Sequence, residues 1–225
     1  MNKFAVLFTS SIGRKLVMSL TGLFLCSFLI IHCAINACLF INDGGLTFNA
    51  AAHFMSSNIL IRTIEIALFA GFIIHIMQSV VLTMQNKKAR GSNSYMVSNT
   101  AASKQSTNMG ILGTVLFFFI VVHLINFFIG LRFSAAYAYG YDANGHHDVY
   151  SNIAAVFSQP AYAIFYIVCM IALGLHLHHG FSSSFQTLGV NHPYYTKLII
   201  NVGYLFSVII PATFAAMPVY FLIKG

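Results

Sequence analysis

The chain has 225 residues, of which 58% are hydrophobic and 7% charged, with a formal net charge of +7 and a mean hydropathy of +0.81. Roughly 25% charged residues are usual in a soluble domain, so this chain cannot cover a water-facing globule with polar surface, and lipid is its expected solvent. Its length suffices for about five or six membrane helices of some 20 residues with short loops, which predicts a single all-α domain over 1–225.

Five apolar runs follow in chain order, about 15–41, 59–85, 109–132, 155–181 and 196–223. They lack the strict alternation of a membrane barrel strand. Helices satisfy their own backbone groups where hydrocarbon cannot, so five transmembrane helices are predicted. The first run is too long for the 7–15-residue core of a secretory signal and no small-x-small site closes it, so it is expected to stay as a membrane helix. Pro160 falls near a helix start, whereas Pro211 and Pro218 lie inside the fifth run, where kinks are expected.

Placing the N-terminus in the cytoplasm puts Lys3, Arg14, Lys15, Lys87, Lys88, Arg90, Lys104 and Lys197 on the inner side, with no acid among them. The outer side receives Arg62, Arg132 and Lys224 together with Asp43, Glu65, Asp142 and Asp148. This is a firm positive-inside bias. The cations lie beside membrane spans and no separate soluble domain remains to hold a duplex, so nucleic acid is excluded as a partner. Cys26, Cys33, Cys38 and Cys169 all fall inside predicted helices and read as small packing residues. Neither C-x-x-C-H nor C-x-x-C occurs, which argues against covalent haem attachment and against a zinc or iron–sulfur site.

The histidines carry the chemistry. There are ten, and His32, His75, His123 and His176 occupy the first four runs, one each, well inside the hydrocarbon. A polar ring there costs several kcal/mol without a partner, so such residues default to functional candidates. The bland alternative is that each ring bonds a neighbouring carbonyl and joins two helices. Counting about 1.5 Å per residue from the flanking charges sorts them into two levels. His32 and His123 belong to the outer half, His75 and His176 to the inner half. Two neutral imidazoles facing each other are what a six-coordinate haem iron needs, with the second ring nitrogen of each fixed by a hydrogen bond. Zinc would want three or four ligands at one level, and a di-iron bundle would want several inward glutamates where this chain has only Glu65. Two bis-histidine haems b fit the inventory best.

In HLHHG, His176 and His179 share a broad helical face while His178 points elsewhere. A haem edge needs bare backbone beside its ligand, which Gly180 would supply for His176 and Gly71 for His75. His176 is therefore the chosen ligand and His179 the alternative. His178 and His179 are expected at the membrane interface, where water, phospholipid headgroups or a haem propionate would satisfy them.

These stretches resemble a family. SSIGRKLVMSLTGLFLCSFLIIHCAIN with His32, RTIEIALFAGFIIHIMQ with His75, FFFIVVHLINFF with His123, and HLHHG followed by TLG with His176, Gly180 and Gly189 are similar to the ligand helices of the cytochrome b anchor of succinate:quinone oxidoreductases, in its five-helix, two-haem form. The resemblance implies a subunit of a bacterial cytoplasmic (inner) membrane complex of the succinate dehydrogenase or fumarate reductase type. A partner flavoprotein subunit would interconvert succinate and fumarate, and an iron–sulfur subunit would dock on the cationic inner face. His75 and His176 would hold the proximal haem b, His32 and His123 the distal one, and electrons would pass to or from a membrane quinone, with menaquinone favoured. Glu65 and Arg62 are the candidate quinone residues, with an Arg62–Glu65 i,i+3 ion pair anchoring the helix end as the alternative. His53 is a further candidate proton carrier. Two other functions stay open: the dihaem subunit of a hydrogenase or formate dehydrogenase, and a small proton-coupled transporter whose histidines line a path.

Overall fold

The structure, a computed structural model, describes residues 8–90, 101–130 and 140–224, and the side chains of 8–88, 108–130 and 140–224. Lys3 and Arg132, and the side chains of Arg90 and Lys104, lie outside the described residues. Five helices are long and apolar enough to cross a membrane, Ser11–Phe40, Ile59–Lys88, Asn108–Ile129, Pro160–Thr187 and Pro193–Lys224. The chain is thus an all-helical, multi-pass membrane protein.

Helix α1 (Ser11–Ala37) begins where Ser10 turns extended and its hydroxyl accepts the Gly13 N–H at 3.0 Å, four residues before the apolar run. It closes in a 3₁₀ turn, Cys38–Phe40. Two glycines at positive φ, Gly44 and Gly45, then reverse the chain; a side chain at Gly45 would collide with the Tyr150 ring. Asp43 accepts hydrogen bonds from the Thr47 hydroxyl and from the N–H groups of Thr47 and Gly45. The Thr47 hydroxyl foremost, with these amides, holds the Asp43 carboxyl below the usual carboxylate range and starts α2 (Leu46–Ser57).

Helix α3 (Ile59–Arg90) returns across the bundle and α4 (Ala101–His123) runs beside it, with Gly110 facing Thr83 and Gly113 facing Ser79. The last turns of α4 loosen into a π-helical segment, Leu124–Ile129. Of the predicted 109–132, positions 131–132 lie outside the described residues.

The predicted fourth run, 155–181, needs correcting. Residues up to Phe157 belong to a separate helix α5 (Val149–Phe157), and α6 (Pro160–Thr187) starts afresh with Pro160 in its first turn. Apolar content is continuous across the break, so hydropathy alone does not show it. Helix α7 (Pro193–Lys224) runs through Pro211 and Pro218, and neither interrupts it. Proline at 211 leaves the Ser207 carbonyl without its helical N–H, and that carbonyl faces Gly174 of α6, where an added Cβ would lie 3.0 Å away.

The short helices α2 and α5, absent from the predicted set, cap one end of the bundle. Asn49 joins them: its Oδ1 accepts the Tyr150 N–H at 2.9 Å and its Nδ2 donates to Asp148 at 3.1 Å, while Asp148 itself caps α5 through the Ser151 N–H. Beneath lies the apolar core of Leu39, Phe48, Ile153, Phe157, Tyr166, Met217 and Phe221. The long helices α1, α3, α4 and α6 form a closed four-membered ring in which each packs on the next, and α7 lies outside it against α6 and α1. We call the end bearing Ser11 and Thr187 the near face and the capped end the far face.

Candidate cofactor site on the diagonals of the helix ring

Each of the four intramembrane histidines projects from a different member of the ring. His32 of α1 meets His123 of α4, with ring centroids 5.8 Å apart and planes at 87°. His75 of α3 meets His176 of α6 at 6.5 Å and 69°. Neither couple joins neighbours in the ring: α1 packs chiefly on α3 and α6, and α4 on α6. Both therefore bridge diagonals through the bundle interior. The ring that meets His75 is that of His176 rather than of His179, and His178 turns towards Tyr204 of α7, 6.0 Å away.

The two couples occupy separate levels. Thr21 of α1 touches His75, and His32 lies eleven residues further along the same helix, about 16 Å at 1.5 Å per residue. On α6, Tyr166 touches His123 and His176 follows ten residues later, about 15 Å away. Two helices thus give the same spacing independently.

Metal–imidazole bonds of about 2 Å place two ring centroids roughly 6 Å apart across one metal atom, and both couples fall near that value. The second nitrogens differ among the four rings. His75 Nδ1 lies 3.0 Å from Thr21 Oγ1, while that hydroxyl reaches the Val17 carbonyl at 2.8 Å as donor. The hydroxyl is left to accept from Nδ1–H, which leaves Nε2 with its lone pair. His123 and His176 each bury Nδ1 without a hydrogen-bond partner, as Gln78 buries its Oε1 one turn from His75. Such buried polar atoms need a partner, and the described residues provide none. Asn36 donates to the His32 carbonyl at 2.8 Å and only grazes His32 Nδ1 at 3.4 Å. Among the described residues no three His, Cys, Asp or Glu side chains cluster to hold a metal ion; each level offers two facing imidazoles. The residues fit a haem at each level.

The walls differ between levels. Phe28 stacks on His32 at 5.0 Å and Phe214 approaches it at 5.6 Å; Phe119, Phe127 and Tyr166 enclose His123. At the near-face level Gly22 lies against His75 and Ser184. Gly180 beside His176 is open but for Met109, 4.0 Å from an added Cβ, whereas the flank of Gly71 is taken by the Phe24 ring at 3.1 Å. Of the two glycines expected to leave room for a flat macrocycle, only Gly180 does so without a side chain moving.

At the far end of α3, Arg62 Nη1 donates to both Glu65 oxygens, at 3.1 and 3.0 Å. The i,i+3 pair weighed from the sequence is therefore formed, at 37% and 23% side-chain exposure. His53, on α2, stacks against His146 at 4.6 Å. Sequence reasoning missed Thr21, Gln78, Asn126 and Tyr166, whose Oη accepts from Asn126 Nδ2 at 3.5 Å. The available signal was the same for each: a lone polar group inside an apolar run, three or four residues or one helix away from a histidine. Comparison of the chain with family models, with curated proteins and with solved structures returns no match.

Proposed function

We propose that this chain is the dihaem cytochrome b membrane anchor of a succinate dehydrogenase or fumarate reductase complex in a bacterial cytoplasmic membrane, with its near face in the cytoplasm. The observation that carries the reading is the pair of imidazole couples on crossed diagonals at two levels. One-electron exchange is the chemistry that haem supplies when bound. The polypeptide's part is ligation, orientation and burial. His75 and His176 hold the haem nearer the cationic face, and His32 and His123 the other. Thr21 fixes the His75 ring, and aromatic rings wall the His32 and His123 level.

Lys15, Lys87, Lys88 and Lys197 are exposed on the near face and would receive the iron–sulfur subunit, with the flavoprotein subunit beyond it. At the far face Glu65, paired to Arg62, stands at the membrane edge and would exchange the proton that accompanies quinone turnover. Menaquinone is the quinone favoured.

The test is a pyridine-haemochrome assay on the purified complex, with succinate and then dithionite as reductants. Two haems b per chain, at least one reduced by succinate, are expected. His123→Ala should remove one and leave the other's bis-histidine spectrum. Dithionite reduction without succinate reduction would reassign the chain to another membrane oxidoreductase, and absence of a Soret band would leave the transporter reading.

A further inference from the structure

The described part of this apolar chain buries few polar side chains: Ser19, Asn49, Asn126, Asn152 and Ser207. Three are asparagines, and all three sit on the far side of the bundle. Asn49 is satisfied by Tyr150 and Asp148, and Asn126 by Tyr166. Asn152 is not. Its exposure is 0%, and neither its Nδ2 nor its Oδ1 has a partner among the described residues. A carboxamide left dry in such a place loses several hydrogen bonds at once. Lipid cannot reach it, and neither can a partner subunit.

Its position suggests what does. Asp148, half-buried at the start of α5, lies four residues before Asn152 and on the same helical face. Five residues beyond Asn152, Phe157 touches both Phe127 of the π-helical segment, at 5.7 Å, and Tyr166, at 5.0 Å. Asn126 precedes Phe127, and its bond to Tyr166 leaves the phenol proton unused. Tyr166 in turn is 6.3 Å from the His123 ring, whose Nδ1 is also unpartnered. Polar groups thus recur from the far face to the imidazole level, and Asn152, between Asp148 and Phe157 on α5, has a donor and an acceptor both open among the described residues.

We propose that Asn152 seats an internal water cluster, which hydrates the far-face cap from Asp148 inward and brings exchangeable water to Tyr166 and His123. A buried water needs two to four polar partners; Asn152 alone offers two kinds, and the groups just named supply the others. The π-helical turn is where such an inlet would end, since its widened backbone is a loosened stretch in the four-helix ring.

Hydroxyl-radical footprinting of the full complex in lipid nanodiscs tests this, because radicals born in trapped water label the side chains around it. Tyr166 and Phe157, at 5% and 6% exposure, should be labelled in the wild type despite their burial. The labelling should vanish in Asn152→Leu, persist in Asn152→Ser, and be accompanied by a lower unfolding temperature for the leucine variant. An unlabelled wild type, unchanged labelling in Asn152→Leu, or a leucine variant that melts higher would overturn the proposal. If the leucine variant does not fold, the wild-type and serine footprints still decide it. Neither readout depends on haem, so the result is independent of the function proposed above.

Discussion

At the scale of single residues, the strongest lever is Thr21. Its hydroxyl is spent twice, once on the carbonyl of Val17 and once on His75 Nδ1, so it fixes both the tautomer and the orientation of one proposed ligand. Partners of this kind are worth about 10–100-fold in metal affinity when removed. Thr21→Val keeps the shape and deletes the bond. It should lower haem occupancy at the near-face level, or shift that haem's midpoint potential, while the His32–His123 level is unaffected; an optical redox titration resolves the two. Glu65 gives the opposite pattern. Its pair with Arg62 is partly exposed, and such pairs contribute about 0–1 kcal/mol. Glu65→Gln should therefore leave the melting temperature almost unchanged. If Glu65 exchanges protons with quinone, the variant still loses quinone turnover while the complex goes on reducing an artificial dye. Retained quinone turnover would confine Glu65 to anchoring the helix.

Among elements, the α6–α7 contact is the most extensive one described, and glycines lie in it. A Cβ at Gly174 would lie 3.0 Å from the Ser207 carbonyl, and one at Gly203 would lie 2.7 Å from Phe181 Cδ1. Backbone gives way less readily than a ring. Gly174→Ala should therefore cost about 1–3 kcal/mol, the usual range for overpacking a well-filled contact, read as a lower melting temperature in detergent. An unchanged melting point would mean that the helices slide apart freely. The five spans were legible in the sequence because about 20 apolar residues without interruption have few other uses. The helices α2 and α5 were not, since 12 and 9 residues of mixed polarity carry no such mark, and their stability comes from Asp43, Asn49 and Asp148 acting across the chain. The two histidine levels could be counted from flanking charges. Which helices lie diagonal to each other could not, because lipid-facing and core-facing positions are both apolar and the rotational phase of a membrane helix leaves little trace in its composition. Thr21, Asn126 and Gln78 were hidden for that reason.

For the whole molecule the open question is which face looks into the cytoplasm. Arg14, Lys15, Lys87, Lys88 and Lys197 gather at the near face, and no described acid lies there; Asp43, Glu65, Asp142 and Asp148 all lie towards the far face. The described far-face cations are engaged within the protein, Arg62 with Glu65 and Lys224 with the hydroxyls of Tyr150 and Tyr220. The near-face lysines are exposed and free to follow the positive-inside rule. Five spans put Ser11 and Lys224 on opposite sides. In a bacterial host, alkaline phosphatase fused after Lys224 should be active and a cytoplasm-dependent fluorescent reporter at the same point dark. Both reporters placed after Lys88 should behave in reverse. Charge placement also predicts how the arrangement can be disturbed: replacing Lys15, Lys87 and Lys88 with glutamate removes most of the described asymmetry and should yield a mixed population at both fusion points. A fluorescent reporter that shines after Lys224 in the unaltered chain would invert the topology. It would then place the acidic face, with Glu65 and the capped helices, where the proposed soluble subunits would dock.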